Sequence, residues 1–291
     1  NWTHAIRERI AGEVIPVDGK CLRGSHDAGS GKQAIYIVSA WASDNRLVLG
    51  QRKVDEKSNE ITAIPELLRS LDVAGCIVSI DAIGTQKAIA QQIVAQDGDY
   101  MLALKDNQPH LLEDVQSLFL WAEKIDYEAL HHAYTQTVNK DHGRIETREC
   151  WTISDPVGIA MLADSAAWAE LQTVVRVRAR RQVDGQCTVE ERFYISSIGD
   201  AGARTAAQAL EATRSHWGIE NRVHWILDMA FREDECRVRK DHGDENLAVL
   251  RHIALNILQQ DTTTRLGVHG KRLKAAWDTR YLEKLLRFSN A

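Results

Sequence analysis

Apolar and polar positions follow two rhythms along the chain, and the switches between them mark its organisation. Val14–Val17 is a short apolar run ending at Asp18-Gly19, and the β-type runs Ile35–Trp41 and Leu47–Val54 follow, with the turn residues Ser43-Asp44-Asn45 between them. Three strands in series are predicted. Asn59–Leu71 repeats at helical spacing: Ile61, Ile64, Leu67, Leu68 and Leu71 share one face, Ser58 can cap it, and Pro65 is the residue that opposes it. Cys76–Ile80 is continuously apolar, as in a strand buried on both faces, Thr85–Gln96 reads as the next helix, and Tyr100–Leu104 as another buried strand. The order β-β-β-α-β-α-β predicts an α/β sheet with antiparallel and parallel parts.

Beyond Ala129 the rhythm becomes that of strands. Tyr134–Val138, Ile145–Ile153 and Thr173–Ser196 carry it, and Val183-Asp184-Gly185-Gln186 falls where a hairpin turn belongs. From Ala203 the spacing is helical, with one long helix to about Phe231, a second around Glu245–Gln260, and a basic tail. The expected organisation is one α/β core with an inserted β subdomain. Residues 1–130 form the first part of the core, 131–200 the β-rich insertion, and 201–291 the final helices and basic C-terminal region. The opening, Trp2–Ile10, is helix-like, and Asn1 as first residue points to a chain cut from something longer.

Composition narrows the function classes. With 291 residues, 44% hydrophobic and 26% charged, the chain can bury a sizeable core and lacks the make-up of a disordered protein. Its five cysteines include no Cys-x-x-Cys pair, which argues for reduced thiols and against a structural zinc site. No apolar run approaches the roughly 18 residues that span a bilayer, and no signal-peptide core is present, so a cytoplasmic protein with no membrane partner is expected.

The net charge of −5 excludes a general nucleic-acid coat, yet charge is sorted along the sequence. Residues 96–130 hold eight acids and two lysines, whereas 251–291 hold eight Lys or Arg and three acids. Arg176, Arg178 and Arg180 alternate along one predicted strand, with Arg181 beside them. A solvated hairpin face or a set of phosphate contacts both fit that pattern. Lys271, Arg272 and Lys274 are the matching candidates in the basic tail. Trp121, Trp151, Trp168 and Trp277 read as core residues rather than base-stacking platforms.

Three carboxylates could carry chemistry. Asp18 and Asp81 each end an apolar strand, 63 residues apart. A turn at Asp18-Gly19 and a helix cap at Asp81 are the plainer alternatives, although Asp81 lies where α/β sheets concentrate ligand sites and Thr85 is the better cap. Glu220 sits in Arg214-Ser215-His216-Trp217-Gly218-Ile219-Glu220-Asn221-Arg222-Val223-His224-Trp225. On a helix, His216, Glu220 and His224 share one face, with Trp217 and Asp228 beside it. An ion-paired amphipathic helix is the alternative. Gly218 weakens such a helix by about 1 kcal/mol relative to Ala, so a close approach by backbone or ligand is expected there. Two strand aspartates and a helix glutamate can hold two Mg²⁺ or Mn²⁺ ions for phosphodiester transfer, because these ions favour hard oxygen ligands. A zinc hydrolase using His216 and His224 lacks a His-Glu-x-x-His sequence.

Several blocks carry a family resemblance. Val17–Ser25, Lys57–Ile61, Ser79–Gln86, Leu102–Gln108, His216–Asn221, Leu227–Phe231, Arg237–Lys240 and Asn246–Arg251 resemble the conserved blocks of bacterial insertion-sequence DDE transposases of the H-repeat-associated group. The resemblance runs almost to the C-terminus. It implies a ribonuclease-H-like mixed-sheet core interrupted by a β insertion, with Asp18, Asp81 and Glu220 as the catalytic, metal-binding triad. The 139-residue gap between the last two accommodates the insertion. The wider superfamily's Tyr, Arg and Lys positions around the glutamate are here Thr213, His216 and Leu227, and the subgroup resembled shares the His-Trp variant.

By the same resemblance two Mg²⁺ or Mn²⁺ ions are expected with DNA bound, and the partners are terminal inverted repeats, target DNA and a second copy of the chain. His216 and His224 are accessory candidates for orienting phosphate or Glu220, and Asn221 is a further one. The expected setting is bacterial, cytoplasmic and nucleoid-associated. Two alternatives remain at this stage: a ribonuclease-H-like nuclease without strand transfer, and a catalytically inactive DNA-binding remnant.

Overall fold

The computed structural model describes residues 10–29, 31–54, 59–141 and 143–288. The helix expected over Trp2–Ile10, apart from Ile10, and the cap expected at Ser58 lie outside them. In chain order the elements are β1 (Val14–Leu22), β2 (Ile35–Ala42), β3 (Leu47–Lys53), α1 (Glu60–Arg69), β4 (Ile77–Ile80), α2 (Lys87–Ala95), β5 (Asp99–Leu104), α3 (Pro109–Lys124), β6 (His132–Asp141), β7 (Arg144–Ile153), α4 (Pro156–Ala160), β8 (Thr173–Val183) and β9 (Gln186–Ser196). Helix α5 (Ala203–Ile219) runs into a π-helical turn (Glu220–His224), and α6 (Trp225–Phe231), α7 (Gly243–Gln260), α8 (Val268–Trp277) and α9 (Thr279–Phe288) follow. No described helix is long and apolar enough to cross a membrane. The mixed α/β architecture agrees with a ribonuclease-H-like transposase fold.

Three local expectations change. Asp18-Gly19 is not a turn: β1 continues through it to Leu22, and Asp18 pairs with Ser39 of β2. Helix α1 is capped by Asn59, whose side chain accepts from the Ile61 N–H at 3.1 Å, and Pro65 is accommodated inside it. The acidic stretch after β5 contains α3, which was not anticipated. Its apolar face is Leu111, Val115, Phe119 and Ala122, and Pro109 occupies the first turn, where its missing N–H costs nothing.

The chain divides into two compact units, residues 1–72 with 217–291, and residues 73–216. In the first, β1, β2 and β3 form an antiparallel sheet with a register shift at Ala40/Trp41. Trp41 and Val48 of this sheet pack with Ile219, Val223, Leu227 and Leu255 in one buried cluster. Ile219, Val223 and Leu227 recur every fourth residue, so burying them fixes which way the neighbouring Glu220 and His224 face. Gly218 permits this contact: a Cβ there would lie 2.8 Å from Cζ3 of Trp41. Helix α7 is tied to β3 because the Asn256 side chain accepts from the Val48 N–H at 2.8 Å and donates to the Val48 carbonyl at 2.9 Å. One amide thereby satisfies both backbone groups of a strand residue.

In the second unit, β4 and β5 are parallel, and β5, β9, β8, β7 and β6 continue as successive antiparallel neighbours. The β8–β9 hairpin turns at Asp184-Gly185, both with positive φ (48° and 79°), as a right-twisted two-residue hairpin requires. Helix α3 contributes Phe119, whose ring lies 6.1 Å from that of Phe193 on β9.

Candidate functional site

Three predicted residues converge in the first unit. Asp18 reaches the site from the middle of β1, and Glu220 and His224 come from the two ends of the π-helical turn. The Nδ1 of His224 lies 2.9 Å from Oε2 of Glu220 and 3.6 Å from Oδ2 of Asp18. One ligand atom from each of the three can be chosen so that all lie within 4.8 Å of one another. The His224 side chain is 3% exposed, against 25% for Asp18 and 60% for Glu220, so the imidazole forms the floor and the carboxylates the rim.

The donor set fits a divalent cation. Two carboxylates supply hard oxygen, the imidazole supplies a nitrogen, and the negative charge gathered on one side of a buried ring is what a cation would balance.

Lys20 lies two residues along β1 from Asp18, on the same face, and holds a cluster that sequence reasoning missed. Its Nζ donates to Asp228 at 2.6 Å, Glu233 at 3.1 Å and Asp234 at 3.3 Å. Burial pulls the Lys20 ammonium toward losing its proton, but Glu233, Asp228 and Asp234 outweigh it and hold the group above its ordinary value. Arg251 of α7 also approaches Glu233, at 3.6 Å. The available signal was the two-residue spacing from Asp18, which puts both side chains on one face of the strand.

In the second unit Asp81 directly follows β4. Its carboxylate accepts the Ile83 N–H at 3.0 Å, while Thr85 donates to the Asp81 and Ala103 carbonyls at 3.2 and 2.6 Å. Helix α2 begins with Gln86 as its N-cap, so Asp81 is not that helix's cap. The Nδ1 of His216 lies 3.2 Å from the Ser79 hydroxyl. Asn221 turns back to its own helix and donates to the Trp217 carbonyl at 3.1 Å.

Comparison with known proteins then decides the family, since residues 10–257 match the model of the transposase DDE domain. The chain belongs to the DDE transposase family. It is 38% identical to "Putative protein YbfL" and to "H repeat-associated putative transposase YhhI", both of Escherichia coli K12, with 98% of this chain and 74% of each relative covered. It is also 38% identical to "Putative transposase YncI" of Escherichia coli O157:H7, covering 98% of this chain and 72% of that relative. The protein is an enzyme, a DDE-type transposase, and DNA binding and divalent-metal use come with the family. The two alternatives, a nuclease without strand transfer and an inactive remnant, are not favoured by these matches.

The transposase does not present all of the predicted DNA-binding cations to solvent. Arg176 is buried: its guanidinium pairs with Glu123 at 2.7 Å, donates to the Tyr127 hydroxyl at 3.0 Å and lies 4.4 Å from the centre of the Trp151 ring. It is a core cation, because Glu123 and the aromatic faces replace its hydration. Arg178 is half-buried and bonded to Glu191 at 2.6 Å, whereas Arg180 is half exposed, 3.5 Å from Glu149.

Lys271 is likewise buried, donating to the Leu258 and Asp261 carbonyls at 3.0 and 2.6 Å. It closes the C-terminal end of α7, where carbonyls lack helical partners and a cation is favoured. Arg272 and Lys274 lie against the rings of Phe231 and Tyr281, at 5.9 and 4.5 Å. Alternation and composition marked these residues as cationic but did not reveal the carboxylates and rings that face them.

Proposed function

We propose that this transposase cleaves DNA at the ends of an insertion sequence and joins the freed 3′-hydroxyl to target DNA, with Asp18, Asp81 and Glu220 as the metal-binding, catalytic carboxylates. The observation that carries the reading is the meeting of Asp18 and Glu220 around the His224 imidazole. Two residues 202 positions apart in sequence bring their charges to one point, which is unfavourable for an apo surface and favourable for binding a cation. Asp81 joins them on the family resemblance and on its position at the end of a buried parallel strand, with the Ile83 N–H steadying its carboxylate.

Asp18, Asp81 and Glu220 would hold the Mg²⁺ or Mn²⁺ ions, which when bound would supply activation of the attacking oxygen and stabilisation of the leaving one. The chain's own part is to hold the carboxylates. The sheet pairing of β1 fixes Asp18, and the apolar stripe Ile219, Val223 and Leu227 fixes the turn that carries Glu220. Residues 131–200 serve as the β-rich insertion, with 1–130 before it and 201–291 after it. Arg180, Arg272 and Lys274 are the DNA-contacting candidates that remain at or near the surface. The substrates are the terminal inverted repeats and target DNA, the active complex contains two copies of the chain, and the setting is the bacterial cytoplasm at the nucleoid.

The test is a supercoiled plasmid carrying the element's terminal repeats. Asp18→Asn, Asp81→Asn and Glu220→Gln should each abolish Mg²⁺-dependent cleavage and joining while unfolding stays cooperative. Undiminished nicking in any one of them would remove that residue from the triad, and cleavage without joining by the wild type would make the chain a nuclease.

A further inference from the structure

The floor of the site is an imidazole nitrogen that carboxylate chemistry alone does not require. His224 turns Nδ1 toward both carboxylates, at 2.9 and 3.6 Å, from a side chain that is almost wholly buried. A cation placed among the three side chains would meet one donor atom from each, all within 4.8 Å of one another.

The backbone at this point is also irregular. The Trp225 N–H bonds to the Glu220 carbonyl five residues back, which closes a π turn whose first and last residues are Glu220 and His224. Such turns are rare and concentrate at functional sites. Behind His224, its Nε2 is buried without a hydrogen-bond partner among the described residues, and so is that of His252.

We propose that Nδ1 of His224 is, with Asp18 and Glu220, a ligand to one divalent ion, which then has a mixed oxygen and nitrogen shell. The proposal rests on the reading of Asp18 and Glu220 as metal-binding carboxylates. An imidazole ligand shifts preference from Mg²⁺ toward Mn²⁺ and later transition ions.

The test is pulsed electron paramagnetic resonance of the full chain loaded with Mn²⁺ alone. The expected spectrum carries the ¹⁴N coupling of a directly bound imidazole. His224→Asn should remove the coupling and lower the preference for Mn²⁺ over Mg²⁺, with the fold checked by circular dichroism and with His224→Gln as second variant. Bound Mn²⁺ that Asp18→Asn and Glu220→Gln displace, but that shows no ¹⁴N coupling, would overturn the proposal and leave the carboxylate reading standing. Coupling that survives loss of His224 would also overturn it, by assigning the nitrogen elsewhere. Mn²⁺ binding indifferent to Asp18 and Glu220 would overturn both readings.

Discussion

Gly218 faces the ring of Trp41 so closely that a β-carbon at position 218 would stand 2.8 Å from Cζ3 and 3.3 Å from Cη2. Trp41 is 1% exposed and belongs to the cluster that holds Ile219, Val223 and Leu227. The glycine therefore sets how near the Glu220-bearing helix comes to the sheet.

Gly218→Ala should destabilise the protein despite alanine's better helix propensity. Overpacking against a buried ring costs about 1–3 kcal/mol, and the propensity gain of about 1 kcal/mol offsets only part of it. Denaturant unfolding should give a net loss of up to about 2 kcal/mol, with catalysis reduced because the helix must move away from β2. An unchanged midpoint would contradict the contact.

Lys20→Met should be more damaging than an ordinary surface charge removal. It strips Asp228, Asp234 and the 1%-exposed Glu233 of their shared cation, leaving Arg251 at 3.6 Å as the nearest replacement for Glu233. Losing one partner of a buried pair costs about 3 kcal/mol. Glu233→Gln added to Lys20→Met should recover part of that loss, which a double-mutant cycle measures.

His252 should weaken the fold in acid. Burial first, then the neighbouring His224, Lys20 and Arg251, push its pKa from 6.5 to about 3. Above pH 6.5 both folded and unfolded chains keep it neutral, and no penalty arises. As pH falls from 6.5 toward about 3, the unfolded chain gains a proton that the folded chain refuses, so this residue removes about 1.4 kcal/mol of stability per pH unit. His252→Asn should therefore lose stability less steeply than the wild type between pH 6.5 and 5. Parallel slopes in urea unfolding would refute this assignment.

Arg176 and Arg180 should separate structure from DNA contact, although they share one face of one strand. Arg176→Met should cost on the order of 2–3 kcal/mol in unfolding, because Glu123 and Tyr127 lose their partner, and it should leave the salt dependence of DNA binding unchanged. Arg180→Ala should leave stability nearly intact and reduce the salt slope by about 1. The reverse pattern would restore Arg176 as a phosphate contact.

Much of the architecture was legible because short-range periodicity determines it. Apolar runs located β1 to β5, the Asp-Gly turn located the β8–β9 hairpin, and Gly218 signalled a close approach before its neighbour was known. Helix α3 carries the same kind of signal in Leu111, Val115, Phe119 and Ala122, interleaved with the acids that give the stretch its negative charge. The end of β1 was misjudged because Asp18-Gly19 has turn chemistry, while pairing with β2 holds it extended. The helical face His216, Glu220, His224 was half right. Glu220 and His224 meet at Asp18, whereas His216 bonds to Ser79.

By itself, the sequence determined most of the elements and carried the family resemblance, because each is written in local spacing or in blocks of adjacent residues. Tertiary structure alone decided that His224 faces Asp18, that three acids share Lys20, and that Arg176 and Lys271 are buried. Those outcomes depend on desolvation and Coulomb energy between groups far apart in the chain, and only folding sets the distances on which these energies depend.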